Sequence, residues 1–236
     1  MQQKRKAILL TRPQRQAERF AASCRARFGP ETEIVISPLI KIGFIRDNKP
    51  FEKTDLAIFT SENGVEAFVR NRPGRGVSAW CVGSRTARAA RDCGMEAKVA
   101  SGTADALADE IIAARPAERL IHFRGEHAST DLASRLAAAG LQAQDRIVYR
   151  QSARSMSSRA KKLMEGETTV VLPLFSSRSA RLFLAESGCK KQDLQPVAIS
   201  KAVAHVLESA GFENITIALR PDASALLDAM ARLMDA

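Results

Sequence analysis

The sequence has few aromatic residues and few cysteines. Phe, Trp and Tyr make up 5% of the 236 residues, so Ala, Leu, Val and Ile must fill most of the core. The four cysteines, Cys24, Cys81, Cys93 and Cys189, form no C-x-x-C pair and no metal-ligand spacing. This usage favours small buried side chains in a reducing compartment over a disulfide framework or a zinc site.

Several motifs and long apolar runs are also absent. The chain has no G-x-x-x-x-G-K-[ST] loop, no G-x-G-x-x-G after a strand and no G-x-S-x-G elbow. His122, His127 and His205 are scattered, so we expect no metal site. No apolar run approaches the roughly 18 residues of a membrane span, and residues 7–10 are too short for a signal sequence. We therefore expect a cytoplasmic protein that does not bind a membrane.

The net charge of +10 is unevenly distributed. Residues 1–50 contain 11 Lys and Arg against 4 Asp and Glu, whereas residues 51–236 contain 25 against 22. Such a field attracts polyanions, although a basic surface can also serve solubility alone. The chain shows no helix-turn-helix, no aromatic stacking platform and no sustained Lys/Arg stripe, so we expect no nucleic-acid binding.

The most informative feature of the chain is an internal repeat. Residues 57–68 and 172–183 each combine a short apolar run, a hydroxyl pair and an amphipathic helix pattern. Phe59 and Phe175, which precede the two hydroxyl pairs, lie 116 residues apart, and the glycines that end the next unit, Gly94 and Gly211, lie 117 residues apart. A solenoid unit is only about 20–50 residues long, so this period predicts two similar domains with a cleft between them.

Short apolar segments alternate with amphipathic helix patterns along the chain, which predicts α/β domains with parallel sheets covered on both faces. Strands are predicted near residues 7–11, 56–60, 79–82, 97–100, 119–123, 145–149, 169–174, 195–199 and 214–218, with an extended segment over 33–42. Helices are predicted near residues 14–28, 63–71, 84–93, 103–114, 128–139, 156–165, 178–187, 201–210 and 222–234.

The second copy of the repeat lacks one strand–loop–helix unit. Residues 8–13 resemble residues 120–125, so the N-terminus supplies the missing unit. The domains are therefore predicted to be interleaved. The split domain would comprise residues 1–35 and 152–236. The inserted domain would comprise residues 43–144. Residues 36–42 and 145–151 would be two paired linkers. We also predict that residues 8–11 lie in one sheet with residues 170–174 and 196–199.

Polar residues that follow the predicted strands are the candidate binding residues. Ligands of parallel α/β sheets bind beyond the carboxyl ends of the strands, where helix N-termini present free amides. Ser, Thr and Asn at such positions also cap helices, so each hydroxyl alone indicates no more than a cap. Their recurrence in both copies fits a cleft that binds carboxylates. The candidates are Arg12, Thr60, Ser61, Asn63, Ser84, Thr86, Arg124, Gly125, Ser176, Ser177, Ser179, Ser200 and Lys201.

Tyr149 is the only tyrosine and ends the strand that leads into the second linker. An interfacial aromatic side chain with a satisfied hydroxyl would explain this position. The functional alternative is a hydrogen-bond donor or acid that acts in the cleft without a metal. No base stands beside the two hydroxyl pairs, so the sequence does not indicate serine nucleophiles.

In their order and spacing these residues resemble the uroporphyrinogen-III synthase family. The matching segments cover nearly the whole chain: Leu10-Thr11-Arg12-Pro13, Phe59-Thr60-Ser61-x-Asn63-Gly64, Val82-Gly83-x-x-Thr86-Ala87, Arg124-Gly125, Val148-Tyr149, Phe175-Ser176-Ser177-x-Ser179-Ala180 and Ala198-Ile199-Ser200. The chain departs from the family after Ser200, where the family often has a threonine. Only Ser200 and Lys201 offer polar contacts there.

The resemblance implies two flavodoxin-like domains, interleaved and joined by a two-stranded β-ladder hinge. It also implies that hydroxymethylbilane, a linear tetrapyrrole with eight carboxylates, loses its hydroxyl as water. Ring D then inverts through a spiro intermediate, and the chain closes to uroporphyrinogen III without a cofactor. Tyr149 matches the family's cleft tyrosine, which implies assistance to the departing hydroxyl. We expect a monomer; the alternative function is a non-enzymatic two-domain binder of a polycarboxylate.

Overall fold

The computed structural model describes residues 5–100, 102–127, 131–186 and 194–234. The chain divides into two compact units. One, here called the split unit, comprises residues 1–41 and 152–236, and the other, the central unit, comprises residues 42–151. Among the described residues, no helix is long and apolar enough to cross a membrane.

Strands and helices alternate along the described chain. Their order is β1 (Lys6–Leu10), α1 (Gln14–Phe28), β2 (Glu33–Ile36), β3 (Ile40–Phe44), β4 (Leu56–Phe59), α2 (Glu62–Asn71), β5 (Ser78–Val82), α3 (Gly83–Asp92), β6 (Glu96–Ala100), α4 (Ala104–Ala114), β7 (Leu120–Gly125), α5 (Leu132–Ala138), β8 (Ala143–Ala153), α6 (Ser158–Glu165), β9 (Thr169–Leu174), α7 (Ser177–Ala185), β10 (Leu194–Ala198), α8 (Lys201–Glu208), β11 (Thr216–Ile217) and α9 (Ala223–Met234).

The split unit is built on a parallel sheet with the strand order β11-β10-β9-β1-β2. Ala7 in β1 lies opposite Val170 in β9 and Glu33 in β2. The prediction that the first strand joins the sheet of residues 170–174 and 196–199 is therefore confirmed.

Helices cover both faces of this sheet. Leu9 packs on one face with residues of α6, α7 and α8, including Phe183. Ile8 and Leu10 pack on the opposite face with residues of α1 and α9, including Phe20. The near-continuous apolar character of β1 follows from this burial, because a strand covered on both faces has no solvent side.

The central unit has a sheet with the strand order β3-β8-β7-β4-β5-β6. The pairs from β8 to β6 are parallel. β3 is the neighbour of β8 at one edge, where the amide of Ile45 donates to the carbonyl of Val148 at 2.8 Å. The carboxyl ends of β4, β5, β7 and β8 therefore meet at one edge of the sheet.

Two cores flank the central sheet. Phe59, Phe68 and Phe123 pack together on the face covered by α2 and α3, with ring centroids 4.9–5.7 Å apart. Ile58 and Leu120 pack on the other face against α4 and α5. A Cβ atom at Gly64 would lie 2.5 Å from the carbonyl oxygen of Phe123. Glycine here lets the first turn of α2 approach the backbone of β7.

A few predicted boundaries differ from the structure. The strand predicted near 145–149 extends over β8, because backbone pairing continues through polar residues that the apolar pattern missed. The last strand of the split unit is only two residues long. The helix predicted from residue 128 begins at Leu132, and residues 128–130 lie outside the described part of the chain.

Candidate functional site

A cavity of about 290 Å³ lies in the central unit at the carboxyl ends of its strands. Thr60 and Ser61 follow β4, Arg124 and Gly125 end β7, and Tyr149 comes from β8. Five of the residues predicted from the sequence therefore line one cavity. The first turn of α4 closes another part of its wall through Thr103 and Ala104.

Ser61 and Tyr149 form the hydroxyl pair of this cavity. Ser61 is the N-cap of α2, and its Oγ atom accepts the amide hydrogen of Gly64 at 3.3 Å. The same Oγ atom lies 2.9 Å from the hydroxyl oxygen of Tyr149. The Ser61 hydroxyl therefore caps α2 and also forms a hydrogen bond with the Tyr149 phenol, which a hydroxyl with one proton and two lone pairs can do.

A register shift in the β7–β8 pair places the Tyr149 ring. Arg124 lies opposite Ile147, but the next residue, Gly125, lies opposite Tyr149, so β8 contains one extra residue, Val148, at this point. A Cβ atom at Gly125 would lie 2.6 Å from Cε2 and 2.7 Å from Cζ of Tyr149. The missing side chain therefore gives the ring the space it occupies against β7.

A second polar network crosses three strands beside the cavity. Thr60 Oγ1 lies 3.1 Å from Nε2 of His122, and Nδ1 of His122 lies 2.9 Å from a carboxylate oxygen of Asp145. Arg124 donates from Nε to the other carboxylate oxygen of Asp145 and from Nη1 to the carbonyl of Gly125 at 2.9 Å. The charge of Arg124, predicted to face the substrate, is thus already paired within the site.

Asp145 is ionised in this network. Burial alone would raise the pKa of its carboxyl group, but hydrogen bonds from His122 and Arg124 and the charges of these groups lower the pKa below its usual value. The carboxylate therefore remains an acceptor for the Nδ1 hydrogen of His122.

Sequence reasoning missed the roles of His122 and Asp145. A signal was present, because His122 stands between the apolar residues Ile121 and Phe123 in β7 and is 2% exposed. A buried polar residue needs partners. The partner could not be found from sequence, because Asp145 lies opposite His122 only through the β7–β8 register.

The remaining candidates of the central unit lie on α2 and α3. Asn63 is a half-buried residue in the first turn of α2. Ser84 is exposed near the start of α3, whereas Thr86, two residues later, is buried. These positions agree with the predicted helix N-termini and assign no ligand contact to the side chains.

The hydroxyl residues of the split unit occupy the starts of α7 and α8. Ser176 is the N-cap of α7 and accepts the amide hydrogen of the buried Ser179 at 3.1 Å. Ser177 donates to the carbonyl of Ala202 at 3.2 Å. Ser200 is the N-cap residue of α8 without a side-chain capping bond, and Lys201 beside it is exposed.

Arg12 follows β1 in the split unit and stacks on an aromatic ring. Its guanidinium carbon lies 3.6 Å from the centroid of Phe175, the residue that precedes the Ser176 cap. Such a cation–π contact holds a cation close to an apolar surface. It places positive charge beside the first turn of α7.

Among the residues that the structure describes, no group of three or more His, Cys, Asp or Glu side chains could hold a metal ion. The molecule is an α/β protein built on two largely parallel sheets, with a polar-lined cavity at the carboxyl ends of the central strands. The family model of uroporphyrinogen-III synthase HemD matches residues 18–228. The chain therefore belongs to the uroporphyrinogen-III synthase family, which confirms the resemblance, and its activity is the cyclisation of hydroxymethylbilane in tetrapyrrole biosynthesis.

Solved structures of uroporphyrinogen-III synthases are among those similar to this chain. The uroporphyrinogen-III synthetase from Helicobacter pylori has a TM-score of 0.70 at 15% identity, covering 97% of this chain and 99% of that chain. A mutant uroporphyrinogen III synthase from the extremely thermophilic bacterium Thermus thermophilus has a TM-score of 0.51 at 15% identity, covering 98% and 99%. Identities this low show the fold alone. No curated protein sequence matches this chain.

Proposed function

We propose that the cavity beside Tyr149 is the place where hydroxymethylbilane loses its hydroxyl group, before ring D inverts and the ring closes to uroporphyrinogen III. The observation that carries this proposal is the 2.9 Å contact between Ser61 Oγ and the Tyr149 hydroxyl at the wall of the cavity. It gives the phenol a fixed partner on the protein side and leaves its other face for the substrate.

A chain of hydrogen bonds prepares Tyr149 to act as a donor. Ser61 Oγ accepts the amide hydrogen of Gly64, so its own proton can go to the phenol oxygen of Tyr149. The phenol proton then points into the cavity. When the C–O bond of the hydroxymethyl group breaks, the electron pair leaves with the oxygen, and Tyr149 donates to that oxygen as it departs as water.

Closure of the tetrapyrrole returns the proton balance. The electron-rich pyrrole nitrogen stabilises the cation left on ring A. The substituted α-carbon of ring D attacks this cation and forms the spiro intermediate, and its bond to the methylene bridge of ring C then breaks. The free α-carbon of ring D bonds to that bridge and loses its proton, which replaces the proton donated by Tyr149. The protein's main contribution is to hold the two ends of the substrate together, which is an orientation effect.

The carboxylates of the substrate are assigned to helix N-termini and cations. Ser61 and Ser200 stand at the starts of α2 and α8, where backbone amides favour anions. Arg12 and Lys201 contribute positive charge in the split unit. The other predicted binding residues remain candidates for the same role.

We further propose that the units are two interleaved flavodoxin-like domains, with residues 36–42 and 145–151 as a paired hinge. The split sheet β2-β1-β9-β10-β11 has the chain order 2-1-3-4-5 of a flavodoxin-like sheet. The central strands β8-β7-β4-β5-β6 run 5-4-1-2-3 in chain order, and they match the split sheet when β7 and β8 take the places of β1 and β2. The neighbouring positions of β3 and β8 support the ladder. We also propose a monomer, which sedimentation equilibrium would test.

The experiment that tests this function is an isomer assay. The purified protein is incubated with freshly generated hydroxymethylbilane, and the oxidised porphyrins are separated into types I and III. We expect type III to dominate, whereas heat-inactivated protein should give the uninverted type I of spontaneous closure. Type I alone with the folded protein would refute the proposal and favour a binder of polycarboxylates.

A further inference from the structure

His122 and Asp145 form a polar pair that the fold does not require. The matched strands of the two units show this. Residues 8–13 correspond to residues 120–125, so His122 corresponds to Leu10. Leu10 lies opposite Ile36 in the split unit, as His122 lies opposite Asp145 in the central unit. The same place in the same architecture is therefore stable with two apolar residues.

The contact with Asp145 determines which nitrogen of the His122 imidazole ring carries a hydrogen. Asp145 is an ionised acceptor, so Nδ1 of His122 must carry a hydrogen to make the 2.9 Å contact. In the neutral ring Nε2 is then an acceptor. Thr60 Oγ1, 3.1 Å from Nε2, donates its only proton to the ring. The lone pairs of Thr60 remain, and Thr60 lines the cavity.

We propose that His122, held by Asp145, is a positioning residue that orients the Thr60 hydroxyl as a hydrogen-bond acceptor, and that a pyrrole N–H of the substrate donates to it. This inference rests on the proposed function of the cavity and deepens it. Helix N-termini suit carboxylates, but they offer donors only. A substrate with pyrrole N–H groups also needs an acceptor, and the oriented Thr60 oxygen supplies one.

The test is a double-mutant cycle on Thr60 and His122. Thr60→Val and His122→Leu should each raise KM about 2- to 10-fold, as expected for one lost hydrogen bond, with kcat nearly unchanged. Thr60→Ser should restore the wild-type KM. The double variant should be no worse than either single variant, because both changes remove the same acceptor. His122→Leu copies Leu10, and thermal unfolding checks its fold.

A spectroscopic readout and a matched control separate positioning from a structural role. His205→Ala, which removes an exposed histidine on α8, is the control and should keep the wild-type KM. Long-range ¹H–¹⁵N spectra at neutral pH should show the His122 ring with its hydrogen on Nδ1.

Failure of this inference can be distinguished from failure of the proposed function. If the wild type forms no type III isomer, the proposed function is refuted. An active wild type with additive Thr60→Val and His122→Leu effects, an unchanged KM in both variants, or a hydrogen on Nε2 at neutral pH would overturn the inference alone.

Discussion

The hydroxyl of Tyr149 lies 2.9 Å from Oγ of Ser61, although 88 residues separate the two in the chain. β4 and β8 bring them together at the same edge of the central sheet. Because Ser61 also accepts a backbone amide, its orientation is fixed on one side, and the phenol is the group free to face a ligand.

Replacement of Tyr149 by Phe should slow formation of the type III isomer by about 10²-fold, the lower end of general-acid contributions. The substrate also ionises without help, so the larger losses are not expected. Type I should rise as released substrate closes spontaneously. The isomer assay measures both, with thermal unfolding as the check of fold. If Tyr149→Phe keeps the full rate and isomer purity, the phenol has only a packing role. The protein then acts only by holding the substrate in the reactive conformation.

Replacement of Ser61 by Ala should reduce turnover only about 2- to 10-fold, because one hydrogen bond to the phenol is lost while the helix amides remain. Stability should fall by about 1 kcal/mol through loss of the cap. Ser157→Ala is the matched control, since Ser157 caps α6 in the same way, away from the cavity. It should cost similar stability and no activity. Complete loss of turnover in folded Ser61→Ala would point instead to a serine nucleophile.

Replacement of Gly125 by Ala should lower activity at least as much as Tyr149→Phe. The new methyl group would lie 2.6 Å from the Tyr149 ring, so the ring must move away from its place beside Ser61. Gly166→Ala is the control, because a Cβ atom there has its nearest neighbour at 3.5 Å. An active Gly125→Ala with an unmoved ring in its crystal structure would contradict the account of the bulge.

The local features of this molecule and the repeat-based placement of β1 beside β9 could be predicted from the sequence, whereas the residue-by-residue register of the strands could not. The apolar runs and hydroxyl caps that define β4, Ser61 and Ser176 are local signals, so they predicted the strands and helix starts. The contact of His122 with Asp145 depends on which residues of β7 and β8 stand opposite each other. Register at His122 is set by the packing of the whole sheet, and at Gly125 also by one extra residue in β8; neither has a local pattern.

Cys24 and Cys81 should resist alkylation in the folded protein. Burial raises the pKa of each thiol to about 12, so the reactive thiolate is scarce at pH 8. Both side chains are inaccessible, as the sequence predicted for small core residues. Peptide mapping after iodoacetamide treatment should find label on these two cysteines only after denaturation. Labelling of either one at the rate of an exposed thiol would show that its strand or helix opens.

The Asp145 network should make the free energy of unfolding depend on pH in the acid range. The folded carboxyl group has a pKa below its unfolded value, since burial is outweighed by hydrogen bonds from His122 and Arg124. Its stabilisation is therefore complete above the ordinary Asp pKa of about 3.9 and is lost as pH falls through the lower folded value.

Urea unfolding of the wild type and of Asp145→Asn at a series of pH values tests this pH dependence of the free energy of unfolding. The variant should be less stable than the wild type by about 1–3 kcal/mol at pH 7, because bonds to a charged acceptor are weakened. The difference between the two stabilities should begin to shrink near pH 4 and should vanish as pH falls through the lower folded pKa, where the wild-type carboxylate takes up its proton. Asp92→Asn, an exposed change at the end of α3, serves as the control for loss of one charge. If the difference in unfolding free energy between Asp145→Asn and wild type grows as pH falls, the carboxylate destabilises the folded state. His122 is then held by other contacts.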